Sequence, residues 1–222
     1  MFIHEIRQMM FKDRKEAGIL LGICLKKFRH LEPVIMAVPR GGVPVAYEVA
    51  KVLKAPMDVI FTKKIGHPNN REYAVGVVSS KGFSFDPVIS GVPQQYLVEE
   101  VSRLQKLVKE KEMAYHKEVK AQDIKKRWVI IIDDGVATGN TIIAAANLLA
   151  QQHPAGIIVA LPVGPDESIR KLNGNPVINE VVCFETPEYF EGVGQFYEDF
   201  DPVEDSEAIA LLKDADTYRN SK

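Results

Sequence analysis

WVIIIDDGVATGNT, residues Trp128 to Thr141, is the stretch on which the fold turns. Its first five residues form a continuous apolar run, the pattern of a strand covered on both faces, as strands of parallel sheets are. From Thr141 a second apolar stretch begins, TIIAAANLLAQ (residues 141–151), whose spacing predicts a helix. Two adjacent carboxylates, Asp133 and Asp134, stand at the carboxyl end of the strand, where open α/β sheets bind ligands. Successive side chains of a strand point in opposite directions, so the two acids need not act identically.

The loop after the acids is built from small residues. Gly135, Ala137 and Gly139 let the backbone curl and approach a ligand closely, and Thr138 and Thr141 add hydroxyl donors. The loop opens straight into a helix whose first amides have no partner and whose dipole favours an anion, so a phosphate belongs there. Ionised carboxylates only accept hydrogen bonds, which suits the hydroxyls of a ribose or a hydrated Mg2+. Hydroxyl acceptors beside phosphate donors fit a phosphorylated sugar. The loop has no lysine, unlike the GxxxxGK[ST] loop, and it is not GxGxxG either.

Outward from this segment the chain alternates strand-like and helix-like stretches, which predicts a mostly parallel sheet flanked by helices. Helices are expected over 13–29, with Leu20, Leu21, Cys24, Leu25 and Phe28 on one face, and over 44–53, with Pro44 in the first turn. Further helices are expected over 93–119, over DESIRKL (166–172) and over DSEAIALLKD (205–214), the last capped by Asp205 or Ser206. Strands are expected over 34–38, 58–62, 156–161 and 177–184. KKIGHPNNREY (63–73) reads as an irregular loop rich in turn formers, and AVGVVSSKGFSFDPVI (74–89) as a hairpin with Ser80, Lys81 and Gly82 at its tip. KEKE (109–112) reads as the solvated face of the long helix.

The 222 residues carry a formal net charge of −2, which argues against nucleic acid as a partner. No apolar stretch reaches the ~20 residues of a membrane span, and the charged start, MFIHEIRQMMFKDRKEAG, has no signal-type core, so the chain reads as cytoplasmic. Cys24 and Cys183 lie far apart without metal-ligand spacing and read as buried thiols of a reducing compartment.

DDGVATGNT resembles the phosphoribosyl-pyrophosphate signature of type I phosphoribosyltransferases. RKEAG (14–18), AVPRGGVPVA (37–46), the KKIGHPNNREYAVG loop (63–76) and FYEDF (196–200) resemble a bacterial subgroup of that family without an assigned substrate, so the resemblance covers nearly the whole chain. It implies an α/β fold with a mostly parallel five-stranded sheet flanked by helices, a flexible loop or hairpin and a small cap. The chain would be one domain, 1–222, with its core at about 13–165 and its cap drawn from about 162–200 and the chain ends. By the same resemblance Asp133 and Asp134 contact the ribose hydroxyls, with Gly135 beside them, and Ala137, Thr138, Gly139, Asn140 and Thr141 hold the 5′-phosphate.

Pro39, Arg40, Gly41 and Gly42 follow the first expected strand. Their glycines expose amides and Arg40 adds forked donors, so the same strand–loop–helix logic makes them a second anion site. It resembles the family's pyrophosphate loop, where unusual peptide geometry precedes the basic residue. The resemblance also implies a mobile catalytic loop carrying Lys63, Lys64 and Arg71, which grips pyrophosphate or excludes water; the alternative is solvated charges. His67 reads as a loop residue.

The implied reaction is transfer of the 5-phosphoribosyl group from phosphoribosyl pyrophosphate to a nitrogen acceptor, a nucleobase or another amine. Arg40, Asp133, Asp134 and Lys64 are the candidate catalytic residues. Mg2+ is the implied cofactor, met by Asp133 and Asp134 through water rather than by direct ligation. A homodimer is the implied assembly. Acceptor recognition would fall to 162–170 and 181–200, where Phe184, Phe190, Phe196 and Tyr197 either stack on a base or pack the cap, and where Asp166 and Glu167 either bind a base or cap a helix. The competing readings are a non-catalytic sensor of the same metabolite and a hydrolase of a related ribose phosphate.

Overall fold

In the computed structural model, which describes residues 10–85 and 91–220, Trp128–Ile132 is the central strand of a parallel sheet. The elements in chain order are α1 (Arg14–Cys24), β1 (Val34–Ala37), α2 (Gly42–Leu53), β2 (Met57–Val59), β3 (Lys63–His67), β4 (Asn70–Val78), β5 (Phe83–Phe85) and α3 (Gln94–Tyr115). There follow β6 (Trp128–Ile132), α4 (Asn140–Ala150), β7 (Gly156–Val163), α5 (Asp166–Asn173), β8 (Glu180–Glu185) and α6 (Asp205–Asn220). The main sheet has five strands in the order β2-β1-β6-β7-β8, all parallel, with Ile130 of β6 opposite Ile35 on one side and Ile158 on the other.

The unbroken apolar run of β6 has a direct cause. Ile130 and Ile132 join Ile35, Val49 and Leu212 in the core on one face, under α1, α2 and α6. Val129 and Ile131 join Ile142, Leu149 and Leu172 on the other face, under α4 and α5. Both faces are dry, so period-2 alternation disappears, and truncating Ile130 to Ala should cost about 2–5 kcal/mol. Among the described residues, no helix is long and apolar enough to cross a membrane.

Several expectations need correction. KKIGHPNNREY is not irregular: β3 and most of β4 form an antiparallel hairpin, completed by β5 into a second, three-stranded sheet. Ile65, Val75 and Val78 are its buried positions and pack on Val101 and Leu104 of α3. Those few apolar residues, with a register shift at Gly66, do not produce a readable alternation. The turn at 79–82 forms as expected, with Ser79 N–H donating to the Gly82 carbonyl. The continuation of that hairpin through 86–89, the opening segment 1–9 and the chain ends assigned to the cap fall outside the described residues.

The first helix stops at Cys24 and tightens into a 3-10 turn over Leu25–Leu31, with Asp13 capping its start by accepting from Glu16 N at 2.7 Å. Cys24 is exposed and Cys183 half-buried, so neither is the buried thiol expected, although desolvation still pushes the Cys183 thiol up to about 12. β2 ends at Val59, because the chain turns out of the sheet to enter the hairpin, and β8 begins at Glu180, after a turn at 175–178. α3 ends at Tyr115. α6 begins at Asp205, so neither Asp205 nor Ser206 is a cap; Asp205 instead faces Tyr115 and Lys111. Lys111 of the KEKE run is therefore ion-paired as well as partly solvated.

A small aromatic cluster closes the carboxyl end of β7. Phe11, Phe196 and Tyr197 are buried in it with Val163, and Phe184, Phe190 and Phe200 pack around them. Phe196 and Tyr197 are thereby consumed by packing, which removes them as stacking platforms for a base. Phe190 stacks on Phe196 with ring centroids 5.6 Å apart.

Candidate active site

The carboxyl edge of β6 carries Asp133 and Asp134 into a largely enclosed position. Asp133 Oδ1 accepts from the Asp134 N–H at 2.9 Å. Asp134 Oδ2 accepts from Arg14 Nε at 2.8 Å, and the Arg14 Nη1 donates to the Asp201 carbonyl, also at 2.8 Å. The Asp134 carbonyl takes the Tyr197 hydroxyl at 2.6 Å. The Arg14 guanidinium lies 3.8 Å from the centroid of the Phe200 ring, a cation–π contact that fixes its plane. Residues from α1 and the aromatic cluster thus hold one of the two acids.

Burial raises the Asp133 carboxyl well above its ordinary range, and the neighbouring Asp134 charge adds to the effect. Burial also raises Asp134, while the hydrogen bond and charge of Arg14 oppose the rise. Desolvation, and then the Asp134 charge, push the Tyr197 phenol up, so it remains a donor. A buried pair of acids short of compensating charge is a site prepared for donors or a cation.

The PRGG segment is pressed directly against these acids. The Pro39–Arg40 peptide bond is cis, in line with the peptide geometry the resemblance implied. A Cβ on Gly41 would fall on the Asp134 carboxylate, and one on Gly42 would lie 2.8 Å from the Ile132 carbonyl oxygen and from Asp133 Cα. Only glycine permits this approach. The Gly42 N–H closes the turn onto the Val38 carbonyl at 3.1 Å. Arg40 points outward, half-exposed, with Nη1 3.8 Å from Glu204 Oε2.

On the other side of the acids, the loop 135–139 leads into α4. Gly139, the residue before the helix, has φ of +75°, which glycine adopts without strain. Gly135 is small for a different reason: a Cβ there would meet Val193 at 2.6 Å. Ala137 and Thr138 precede α4, and Asn140 and Thr141 open it. The loop is pinned from behind by α5, where Ser168 Oγ donates to the Ala137 carbonyl at 2.6 Å and Lys171 Nζ reaches Asn140 Oδ1, also at 2.6 Å.

The structure therefore gathers Pro39 to Gly42 and Asp133 to Thr141 on one sheet edge. Lys63 and Lys64 are exposed on β3 and serve two different cavities. Lys63 borders a cavity of about 190 Å³ with Pro39, Thr141 and Lys111. Lys64 borders one of about 350 Å³ between the hairpin sheet and α4, with Asn140, Asn147 and Phe85. Arg71 lies near the far turn of the hairpin, roughly 13 Å along the strands from Lys63, on the side of Glu100. His67 accepts from Asn69 N–H at 3.2 Å within that turn. Asp166 and Glu167 are exposed in the first turn of α5, whose cap position is Pro165, and Asp166 pairs with Arg170.

Sequence reasoning missed Arg14, Ser168, Lys171 and Lys111, and it read Tyr197 as a stacking or packing residue rather than as the donor to the Asp134 carbonyl. Arg14 and Tyr197 lie within the RKEAG and FYEDF strings, which the resemblance marked without revealing that both would hold Asp134. The other three carried no local signal. Among the described residues there is no group of three or more His, Cys, Asp or Glu that would cage a metal ion. The all-oxygen acid pair suits Mg2+ held mainly by water and ligand oxygens, the usual mode for that ion.

The model of the phosphoribosyl transferase domain matches residues 14–201. A Mycobacterium tuberculosis protein provisionally named a phosphoribosyl transferase, found in strains CDC 1551 and H37Rv, is 34% identical over 207 residues, which is 91% of this chain and 46% of that protein. The chain thus spans about half the length of the curated relatives it matches. The crystal structure of TT1426 from Thermus thermophilus is 35% identical and superposes with a TM-score of 0.83, covering 93% of this chain and 99% of that one.

Proposed function

The chain belongs to the phosphoribosyl transferase domain family, and from that premise we propose that it transfers the 5-phosphoribosyl group of phosphoribosyl pyrophosphate to a nitrogen acceptor. The observation that carries this reading is the convergence of a buried acid pair, a helix start and a glycine-tight basic loop on one sheet edge. Asp133 and Asp134 accept hydrogen bonds from the 2′- and 3′-hydroxyls, whose donation replaces the hydration the acids have lost. The amides at the start of α4, with the Thr138 and Thr141 hydroxyls, bind the 5′-phosphate.

In the reaction the C1′–oxygen bond to pyrophosphate breaks, a C1′–nitrogen bond forms, and the acceptor nitrogen releases its proton to solvent. Positive charge develops on the ribose ring and negative charge on the leaving group. Asp133 and Asp134 lie on the side of the ring charge, while the side chains of Arg40 and Lys63 and the backbone N–H groups of Arg40 and Gly41 meet the leaving oxygens. Lys64 and Arg71 act when the hairpin closes and excludes water. When bound, Mg2+ supplies charge neutralisation on the diphosphate, held through water by the acid pair. The acceptor is a nucleobase, and the cytoplasm, whose reducing conditions suit an exposed Cys24 thiol, is the proposed location.

The test is pyrophosphate release from phosphoribosyl pyrophosphate across a panel of nucleobases and amines, with the product identified by mass. Release that depends on one acceptor and yields the matching nucleotide supports transfer. Release without any acceptor would mean hydrolysis, and tight binding with no release under any condition would mean a sensor.

A further inference from the structure

Lys111 sits in α3, whose Val101 and Leu104 pack against the hairpin and whose Val108 and Tyr115, on either side of Lys111 in sequence, pack into the main core. Its Nζ lies 3.1 Å from Asp205 Oδ1 and 5.5 Å from the centroid of the Phe61 ring. It forms one wall of the 190 Å³ cavity, whose other walls include Pro39 of the basic loop, Thr141 of the phosphate loop and Lys63. Arg40, which follows Pro39, faces Glu204, the residue before Asp205. Consecutive carboxylates at the start of α6 thus face two cations beside a cavity that both anion loops border.

A purely structural role does not account for this pair. The side chains of Lys111 and Asp205 are 39% and 44% exposed, and ion pairs at such exposure contribute little to stability. α3 and the segment after it are already tied to α6 by the Tyr115 hydroxyl on Asp205 at 2.5 Å and by Lys213 on Glu118 at 2.5 Å. A long, flexible ammonium with a weakly held partner, at the wall of a cavity, is placed to change partners.

We infer that Lys111 is a diphosphate-binding residue of this site, and that Asp205 occupies it until the ligand's diphosphate displaces that carboxylate. The inference rests on the phosphoribosyl-pyrophosphate reading given above. It assigns α3 a part in the chemistry: the helix that supports the hairpin also supplies a cation to the leaving group. It also makes Asp205 a competitor, whose removal strengthens anion binding rather than weakening it.

The test is calorimetric titration of the full chain, in magnesium-containing buffer, with inorganic pyrophosphate and separately with ribose 5-phosphate. Wild type is compared with Lys111→Met, Lys111→Arg, Asp205→Asn and, as a control on an α3 residue paired with Glu100, Arg103→Ala. Loss of one charge-assisted contact should weaken pyrophosphate about 10-fold or more in Lys111→Met. Ribose 5-phosphate affinity should stay within about 2-fold in that variant, a margin of a few tenths of a kcal/mol. Lys111→Arg should retain most of the affinity, Asp205→Asn should bind pyrophosphate more tightly, and Arg103→Ala should match wild type. Unchanged pyrophosphate binding in Lys111→Met, or weaker binding in Asp205→Asn, overturns the inference, while ribose 5-phosphate binding by wild type leaves the site reading standing. If wild type binds neither ligand, the site reading falls and this inference with it.

Discussion

Arg14 Nε lies 2.8 Å from Asp134 Oδ2, joining residues 120 positions apart in sequence. The hydrogen bond and charge of Arg14 lower the Asp134 carboxyl against the rise that burial imposes on it beside the buried Asp133. The first turn of α1 therefore belongs to the site, although the site's loops lie on β1 and β6.

Removing the guanidinium should leave Asp134 buried without its counter-charge. Arg14→Met is expected to lower stability by about 1–3 kcal/mol, the cost of an uncompensated buried group that can relax by taking up a proton. It should also weaken phosphoribosyl pyrophosphate binding. Denaturant melts of Arg14→Met, Asp134→Asn and the double variant check this. The double variant should be less destabilised than the sum of the singles, since a neutral amide in place of the Asp134 carboxylate needs no cation.

The raised carboxyl of Asp133 has a consequence for folding. Its folded form holds a proton at a pH where the unfolded chain has released it, so stability is full at pH values below the ordinary carboxylate range. Stability is lost as pH rises from that range through the raised folded value, where the buried acid is forced to ionise. Asp133→Asn should therefore melt higher than wild type at pH 7, by on the order of 1 kcal/mol, while losing ligand binding. The gain should vanish below about pH 4 in melting curves taken across pH, because both chains are then uncharged at this position.

Gly41 and Gly42 should fail differently. In Gly42→Ala the new methyl would press on the Ile132 carbonyl and Asp133 Cα, backbone that cannot shift, so this variant should be destabilised by about 1–3 kcal/mol. In Gly41→Ala the nearest contacts of the new methyl would be with the Asp134 side chain. That variant should be destabilised less than Gly42→Ala, since a side chain can rotate where backbone cannot, and should lose affinity by turning the carboxylate away from Arg14. Thermal melts beside phosphoribosyl pyrophosphate titrations separate the two.

His116 supplies a second pH-dependent contact, remote from the acids. Its Nε2 lies 2.7 Å from Asp58 Oδ1, and Asp58 also accepts from Gln122 N–H at 2.7 Å, so the end of α3 is tied to β2. The hydrogen bond to Asp58 raises the imidazole above its ordinary value against the effect of burial. Its stabilisation is then fully present below about pH 6.5 and lost as pH rises through the raised value. Wild type should melt lower at pH 9 than at pH 6 by a margin that His116→Gln, which does not titrate, fails to show.

The parts of this protein that could be read from sequence are those whose cause is local. The β6 run, the acid pair and the glycine loop follow from burial on both sheet faces and from a strand running directly into a helix, and each is visible within the one stretch from Trp128 to Thr141. The β4–β5 turn was legible from its turn formers, but the β3–β4 pairing was not, because Ile65 and Val75 are buried by α3, an element the strand's own pattern cannot announce. Arg14 and Lys111 look like surface charges in any window, and only the fold brings them to Asp134 and to the 190 Å³ cavity. The aromatic residues of the cap read equally well as a stacking platform or a small core, and the contacts of Phe196 and Tyr197 decide for the core.

The central claim is that one sheet edge holds a ribose between its acids and a leaving diphosphate beside Arg40. The most direct measurement is acceptor-dependent pyrophosphate release by wild type, Asp134→Asn and Arg40→Ala, with melting temperature recorded for each. Wild type should release pyrophosphate with at least one nitrogenous acceptor. Each variant should fall by about 100-fold or more, the scale of losing a group that stabilises developing charge, while both remain folded. Wild-type turnover by both variants with the same acceptor would contradict the claim.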